Sequence, residues 1–95
     1  MIGRVKMFIH LGEDVVIPLK DVISIMNLET SSYSKKTKEF LKIAEDEGFL
    51  NKITDKEPKS FIFTIKDNQT IIYLSPISSV TLQKRSGFID KNLTF

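Results

Sequence analysis

Hydrophobic positions along this chain follow two spacings, and the points where the spacing changes mark its elements. The strongest alternation lies in residues 59–85. Phe61, Phe63 and Ile65 fall on one side of an extended run, with Ile62 and Thr64 on the other. Such a run of β-branched and aromatic residues predicts a strand. Asp67, Asn68 and Gln69 then supply turn chemistry, because Asp and Asn tolerate left-handed backbone. A second strand over residues 70–75 returns beside the first. Apolar character on both sides predicts a central hairpin with at least one face fully covered. Pro76 stops the ladder for want of an N–H, and Ser78 or Ser79 caps a short helix through Arg85, with Gly87 placed to end it.

The same signals organise the rest. Residues 7–11 predict a strand, Gly12, Glu13 and Asp14 a tight turn, and residues 15–17 its hairpin partner, closed by Pro18. Residues 22–26 predict a third strand, with a short helix as the alternative. The spacing changes at residues 34–47, where Thr37, Phe40, Leu41 and Ala44 share one stripe at i, i+3, i+4, i+7. Residues 30–34 form the polar loop before this helix and Gly48 is its stop. Residues 51–58 are expected to be a charged connector. The order β-β-β-α-β-β-α lacks a βαβ rhythm, so the fold class is α+β. Residues 1–6 are expected to be an extension, residues 7–87 the domain, and residues 88–95 a tail.

Composition narrows the function. Ninety-five residues make one domain that buries about two-thirds of its unfolded surface, so subunit contacts are a natural source of further burial. At 41% hydrophobic, 27% charged and net charge +2, the chain lacks the charge excess of a histone-like protein. A nucleic-acid role therefore has to come from clustering of charge. Without cysteine there is no disulfide, thiolate metal site or cysteine nucleophile. No apolar run approaches the roughly 18 residues of a membrane helix, and residues 1–6 lack the apolar stretch of a signal peptide. The expectation is a cytoplasmic protein with no membrane contact.

Charge clusters in one place, the main helix. Lys35, Lys36 and Lys38 stand in its first turns and Glu45, Asp46 and Glu47 in its last. A helix dipole favours the reverse, at a cost of about a few tenths of a kcal/mol for each exposed charge so misplaced. Lysines and free N–H groups would add their fields there, which suits phosphate. The competing reading is a solvated face in which the lysines pair with Glu39 and Asp46. Other candidates are poorer. His10 reads as a satisfied edge histidine, and Glu13 with Asp14 lacks the converging oxygens that a hard cation needs. Tyr33, Phe49 and Phe88 read as core residues. No phosphate loop, nucleophile elbow or metalloprotease motif is present. Neither cofactor, metal nor small-molecule substrate is expected, and the chain is not read as an enzyme.

Several segments carry a resemblance: Met7-Phe8-Ile9-His10-Leu11-Gly12-Glu13-Asp14, Lys20-Asp21-Val22-Ile23-Ser24-Ile25, Pro58-Lys59-Ser60, Tyr73-Leu74-Ser75-Pro76-Ile77-Ser78-Ser79, Thr81-Leu82 and Lys84-Arg85. Over about residues 7–85 the chain resembles the RemB (YaaB-like) extracellular matrix regulatory proteins, small bacterial proteins. The resemblance implies a non-catalytic regulator of biofilm matrix genes, related to RemA proteins that bind DNA as ring-like oligomers with a LytTR-like fold. Carried over position by position, the phosphate contacts would be Lys20, then Lys35, Lys36 and Lys38, and finally Lys59. Where those relatives carry an arginine pair, Pro58 and Lys59 stand here, and lysine offers a point charge in place of a fork. The partners so implied are DNA and further copies of the chain, with head-to-tail contact aided by the opposite charges of the helix ends. The alternative is an oligomeric scaffold that does not touch DNA.

Overall fold

The computed structural model describes residues 7–28 and 35–86. They form β1 (Phe8–Gly12), β2 (Val15–Pro18), a 3-10 turn (Leu19–Asp21), β3 (Val22–Asn27), α1 (Lys35–Glu47), β4 (Leu50–Lys52), β5 (Ser60–Lys66), β6 (Gln69–Ser75) and α2 (Ser79–Ser86). The class is α+β. β1 and β2 pair as an antiparallel hairpin, while the other strands form a four-stranded sheet in the order β3-β5-β6-β4.

The expected central hairpin is the middle of that sheet. β5 and β6 pair from Ser60↔Ser75 to Lys66↔Gln69 across a two-residue turn. Asp67 and Asn68 both take positive φ there (51° and 66°), the geometry a tight hairpin needs and Asx residues tolerate. Residues 22–26 are strand, with Ile23 bulged out between the Val22↔Thr64 and Ser24↔Phe63 pairs.

Two expectations are corrected. The connector over residues 51–58 is not wholly irregular, because its start forms β4, which lies parallel to β6 in the register Leu50↔Ile72 to Lys52↔Leu74. Three residues with two charged or amide side chains carry no strand period, and only the neighbouring edge of β6 makes them a strand. The sheet is therefore mixed rather than wholly antiparallel. Phe40, expected on the buried helix stripe, is 42% exposed, while Leu41 and Ala44 are buried. Residues 1–6, 29–34 and 87–95, with Tyr33, Gly87, Phe88 and the expected extension and tail, lie outside the described residues.

Alternation in β5 and β6 separates two cores, one on each face of the sheet. Ile62 and Tyr73 face the hairpin and α2, where Ile9, Leu11, Ile17, Val22, Ile25 and Leu82 complete a buried cluster. Phe61, Phe63, Ile72 and Leu74 face α1, which contributes Leu41 and Ala44 to a second cluster with Leu28. The layers are thus hairpin with α2, sheet, then α1. Gly48 ends α1 with φ +88, and the Gly48 N–H to Glu45 and Phe49 N–H to Ala44 bonds complete a Schellman cap. Ser78 is the N-cap of α2, its hydroxyl oxygen accepting from the Thr81 N–H at 3.2 Å.

The hairpin and the sheet are joined by polar groups. β1 is bulged at Leu11, so that residue has no direct opposite on β2. The Leu11 carbonyl instead accepts from the Ser75 hydroxyl at 2.6 Å, across 64 residues of sequence. The same hydroxyl oxygen accepts from the Ile77 N–H at 2.9 Å, and the Ser60 hydroxyl donates to the Ile77 carbonyl at 2.8 Å. Gly12 takes φ +126 at the end of β1, where an added Cβ would stand 3.0 Å from Pro76 Cδ. Ser75→Ala would leave the Leu11 carbonyl buried without its donor, at a cost of about 1–3 kcal/mol. A urea denaturation midpoint equal to that of the parent chain would contradict this.

Candidate nucleic-acid interface

The basic residues singled out from the sequence are all on the surface, and the topology divides them. Lys59 immediately precedes β5, with its backbone locked between strands: its N–H donates to the Ser75 carbonyl and its carbonyl accepts from the Leu28 N–H. Its side chain is exposed at the end of the sheet where β3 and β6 finish. The chain reverses at Gly48, so α1 runs back along β4 and points its N-terminal end toward that same end of the sheet. Lys35, Lys36 and Lys38 stand exposed on that end of the helix.

Lys20 is elsewhere. It sits exposed in the 3-10 turn before β3, whose first residue pairs with Thr64 near the far end of β5. The six residues of β3 put roughly 17 Å of strand between it and Lys59. Four of the five candidates thus share one end of the molecule and Lys20 lies at the other.

Charge inversion in α1 persists in the structure, with no acidic residue in its first turn and no basic residue in its last. At the acidic end, Lys42 lies 3.9 Å from Asp46 and Lys52 reaches Glu45 across 3.7 Å from β4. Both pairs are exposed, so each contributes at most about 1 kcal/mol. They partly neutralise the acidic end, while Lys35, Lys36 and Lys38 stand at the positive end of the helix dipole. Beside Lys59, the loop into β5 carries Asp55 and Glu57 as well as Lys56, so charge is mixed there. With Lys52 and Leu74 this loop lines an open cleft of about 380 Å³. Reading residues 51–58 as a connector left out Lys52 and Lys56. Lys52 carries no strand signal, because β4 exists only through its pairing with β6.

Sites of other kinds resolve simply. His10 is exposed on β1 and its Nε2 donates to the Glu13 carbonyl at 2.7 Å. Arg85 donates from Nη1 to the His10 carbonyl at 3.2 Å, tying the last turn of α2 to the edge of β1. Among the described residues no group of three or more His, Asp or Glu is placed to hold a metal ion. Nor is any helix among them long and apolar enough to cross a membrane. A depression of about 670 Å³ lies between residues 48–52 and 69–71, and its titratable residue is Lys52.

One group has a displaced proton affinity. Tyr73 holds its phenol above the ordinary value of 10.0, mainly through burial and secondarily through the negative charge of Asp21. The folded chain therefore keeps this proton to higher pH than the unfolded chain. The associated stability is present below about pH 10 and is lost as pH rises through the folded value.

A family model described as Extracellular matrix regulatory protein A-like (RemA-like) matches residues 8–85. The Extracellular matrix regulatory protein B of Bacillus subtilis (strain 168) is 35% identical over 83 residues, which cover 87% of this chain and 94% of that protein. The match begins at the start of β1 and ends in the last turn of α2, so it takes in both cores and the lysine-bearing end of the sheet.

Two outcomes follow from the electrostatics. Replacing Lys35, Lys36 and Lys38 by Gln removes charges that oppose the helix dipole, so thermal stability should hold or rise slightly; a lowered melting temperature would show that they support the fold. Tyr73→Phe should remove part of the pH dependence above about pH 10, read as a flatter fall of the urea midpoint as pH rises.

Proposed function

We propose a non-catalytic regulator of matrix-gene expression that acts on DNA as an oligomer, and the premise is kinship: this chain belongs to the extracellular matrix regulatory protein A-like family. Regulation of matrix genes is the role that family membership supports. Direct contact with DNA phosphates is the finer reading. It is carried by a single observation, the convergence of Lys35, Lys36, Lys38 and Lys59 at the end of the sheet to which the N-terminus of α1 points.

The chemistry there is that of backbone recognition. Lysine ammonium groups are point charges, and helix N–H groups add a positive field of their own. Such groups hold phosphates in register and read little base sequence. One subunit supplies only a few contacts, so useful affinity requires several subunits on one duplex. Lys20 would serve this role only as a separate contact, since it stands at the opposite end. A cytoplasmic setting goes with this role.

The competing reading is an oligomeric scaffold without DNA, favoured by the acidic Asp55 and Glu57 beside Lys56. Binding separates the two. Log affinity for duplex DNA should fall linearly with log salt, with a slope of about 0.9 per phosphate neutralised. Lys35→Gln, Lys36→Gln and Lys38→Gln together should weaken binding to all sequences alike and flatten that slope. Duplex DNA left unshifted by micromolar protein at ~50 mM salt, where phosphate binding is strong, would exclude the DNA reading and leave the scaffold.

A further inference from the structure

On the hairpin side of the sheet, β5 and β6 run on toward their turn beyond the cluster that Ile9, Leu11 and Ile17 form with Ile62. Past Ile62 and Tyr73 that face continues with Thr64 opposite Ile71, and then with Lys66 opposite Gln69. Among the described residues a cavity of about 160 Å³ lies there. Ile17 and Pro18 of β2 and Asp21 of the 3-10 turn bound it across from the sheet.

Its lining is divided by chemistry. Ile17, Pro18 and Ile71 supply apolar surface, while Asp21, Lys66 and Tyr73 supply a carboxylate, an ammonium and a phenol. Thr64 is already engaged, since its hydroxyl donates to the Ile71 carbonyl at 2.7 Å. The other three polar side chains have no hydrogen bond or ion pair among the described residues. Asp21 and Lys66 thus line one cavity with opposite charges and do not pair with each other. Burial and the Asp21 charge hold the proton on Tyr73, so its hydroxyl can both donate and accept.

These charges narrow the class of ligand. A plain anion would meet a like charge at Asp21, and a plain cation would meet one at Lys66. Size narrows it further. The volume is that of about five waters at ~30 Å³ each, below the roughly 300–1,000 Å³ of drug-sized sites.

We propose that this cavity binds a small free α-amino acid. The ligand's ammonium lies on Asp21 and the Tyr73 hydroxyl, its carboxylate on Lys66, and its short aliphatic side chain against Ile17, Pro18 and Ile71. Occupancy clamps the 3-10 turn, and Lys20 with it, onto the sheet. The lining comes from four segments that share no motif, so spacing along the chain does not reveal it. None of the lysines at the N-terminal end of α1 takes part, and the site is independent of the DNA reading.

Amide NMR of the full chain during titration tests this. Glycine, L-alanine and L-valine should move the resonances of Asp21, Thr64, Lys66, Ile71 and Tyr73. Saturation in the millimolar range is expected for ligands of about five to eight non-hydrogen atoms. Isobutylamine is L-valine without its carboxylate, and isovalerate is L-valine without its ammonium. Each should bind about tenfold more weakly, or worse. Asp21→Asn and Lys66→Gln, at partly exposed and exposed positions, should each weaken L-valine by a similar factor. No saturable shift around the cavity with any of the three amino acids would overturn the proposal. So would single-charge analogues that bind as tightly as L-valine, or variants that bind it as tightly as the parent chain. Residues 1–6 enter at Met7, whose carbonyl accepts from the Leu19 N–H beside Pro18, and residues 87–95 follow α2. Nuclear Overhauser contacts from the Tyr73 ring to either segment in the ligand-free chain would show the cavity filled by the chain itself, and would also overturn it.

Discussion

The hydrogen bond from Ser75 to the Leu11 carbonyl is what makes one domain of a hairpin and a sheet. Without it the bulge that leaves Leu11 unpaired on β1 would bury a bare carbonyl, a costly defect in a region from which water is excluded. With it, the end of β6 is pinned to the end of β1, and Pro76 lies against Gly12, where a side chain would be both crowded and strained at φ +126. Ser60 closes the joint by holding the Ile77 carbonyl while Ser75 holds its N–H, so Ile77 is fixed at both backbone groups before α2 begins. α2 then runs between two open strand edges. Gln83 reaches the Ile25 carbonyl of β3 and Arg85 the His10 carbonyl of β1.

That arrangement decides which surfaces are left for function. One face of the sheet is covered by the hairpin and α2, with Ile62 of the sheet and Leu82 of α2 fully buried between them. Among the described residues, the other is covered by α1, which seats Leu41 and Ala44 on it. The reversal at Gly48 turns the helix so that its N-terminal, lysine-bearing end points toward the end of the sheet where Lys59 lies. A charge arrangement unfavourable to the helix itself is thereby placed at one end of the molecule. A local rule broken repeatedly within one element points to function more readily than to folding. The cost is small because every one of these lysines is exposed.

Much of the fold could be read from residues. The β5–β6 hairpin was legible because alternation and an Asx turn agreed, and α1 because a 3.6 period ended at a glycine. β4 was not legible, since three residues carry no period and become a strand only beside β6. The exposure of Phe40 was hidden for a related reason. Helical spacing gives the apolar stripe, but the side of the stripe that meets the sheet depends on how far the helix is offset across its strands. The lysines at the start of α1 were found from charge order alone, and the separation of Lys20 from them was not.

The sequence by itself determined the elements whose signals are local: strand alternation, the turns at residues 12–14 and 67–69 (the second one residue shorter in the structure, where Gln69 opens β6), the stop at Gly48 and the inverted charges of α1. Those depend on backbone preferences and on side chains a few residues apart. Only the tertiary structure decided that Lys20 lies at the other end of β3 from Lys59, that Ser75 completes β1, and that residues 50–52 become a strand beside β6. Each of these is a contact, or a missing contact, between segments tens of residues apart. Its energy depends on the relative placement of elements, and no local pattern records that.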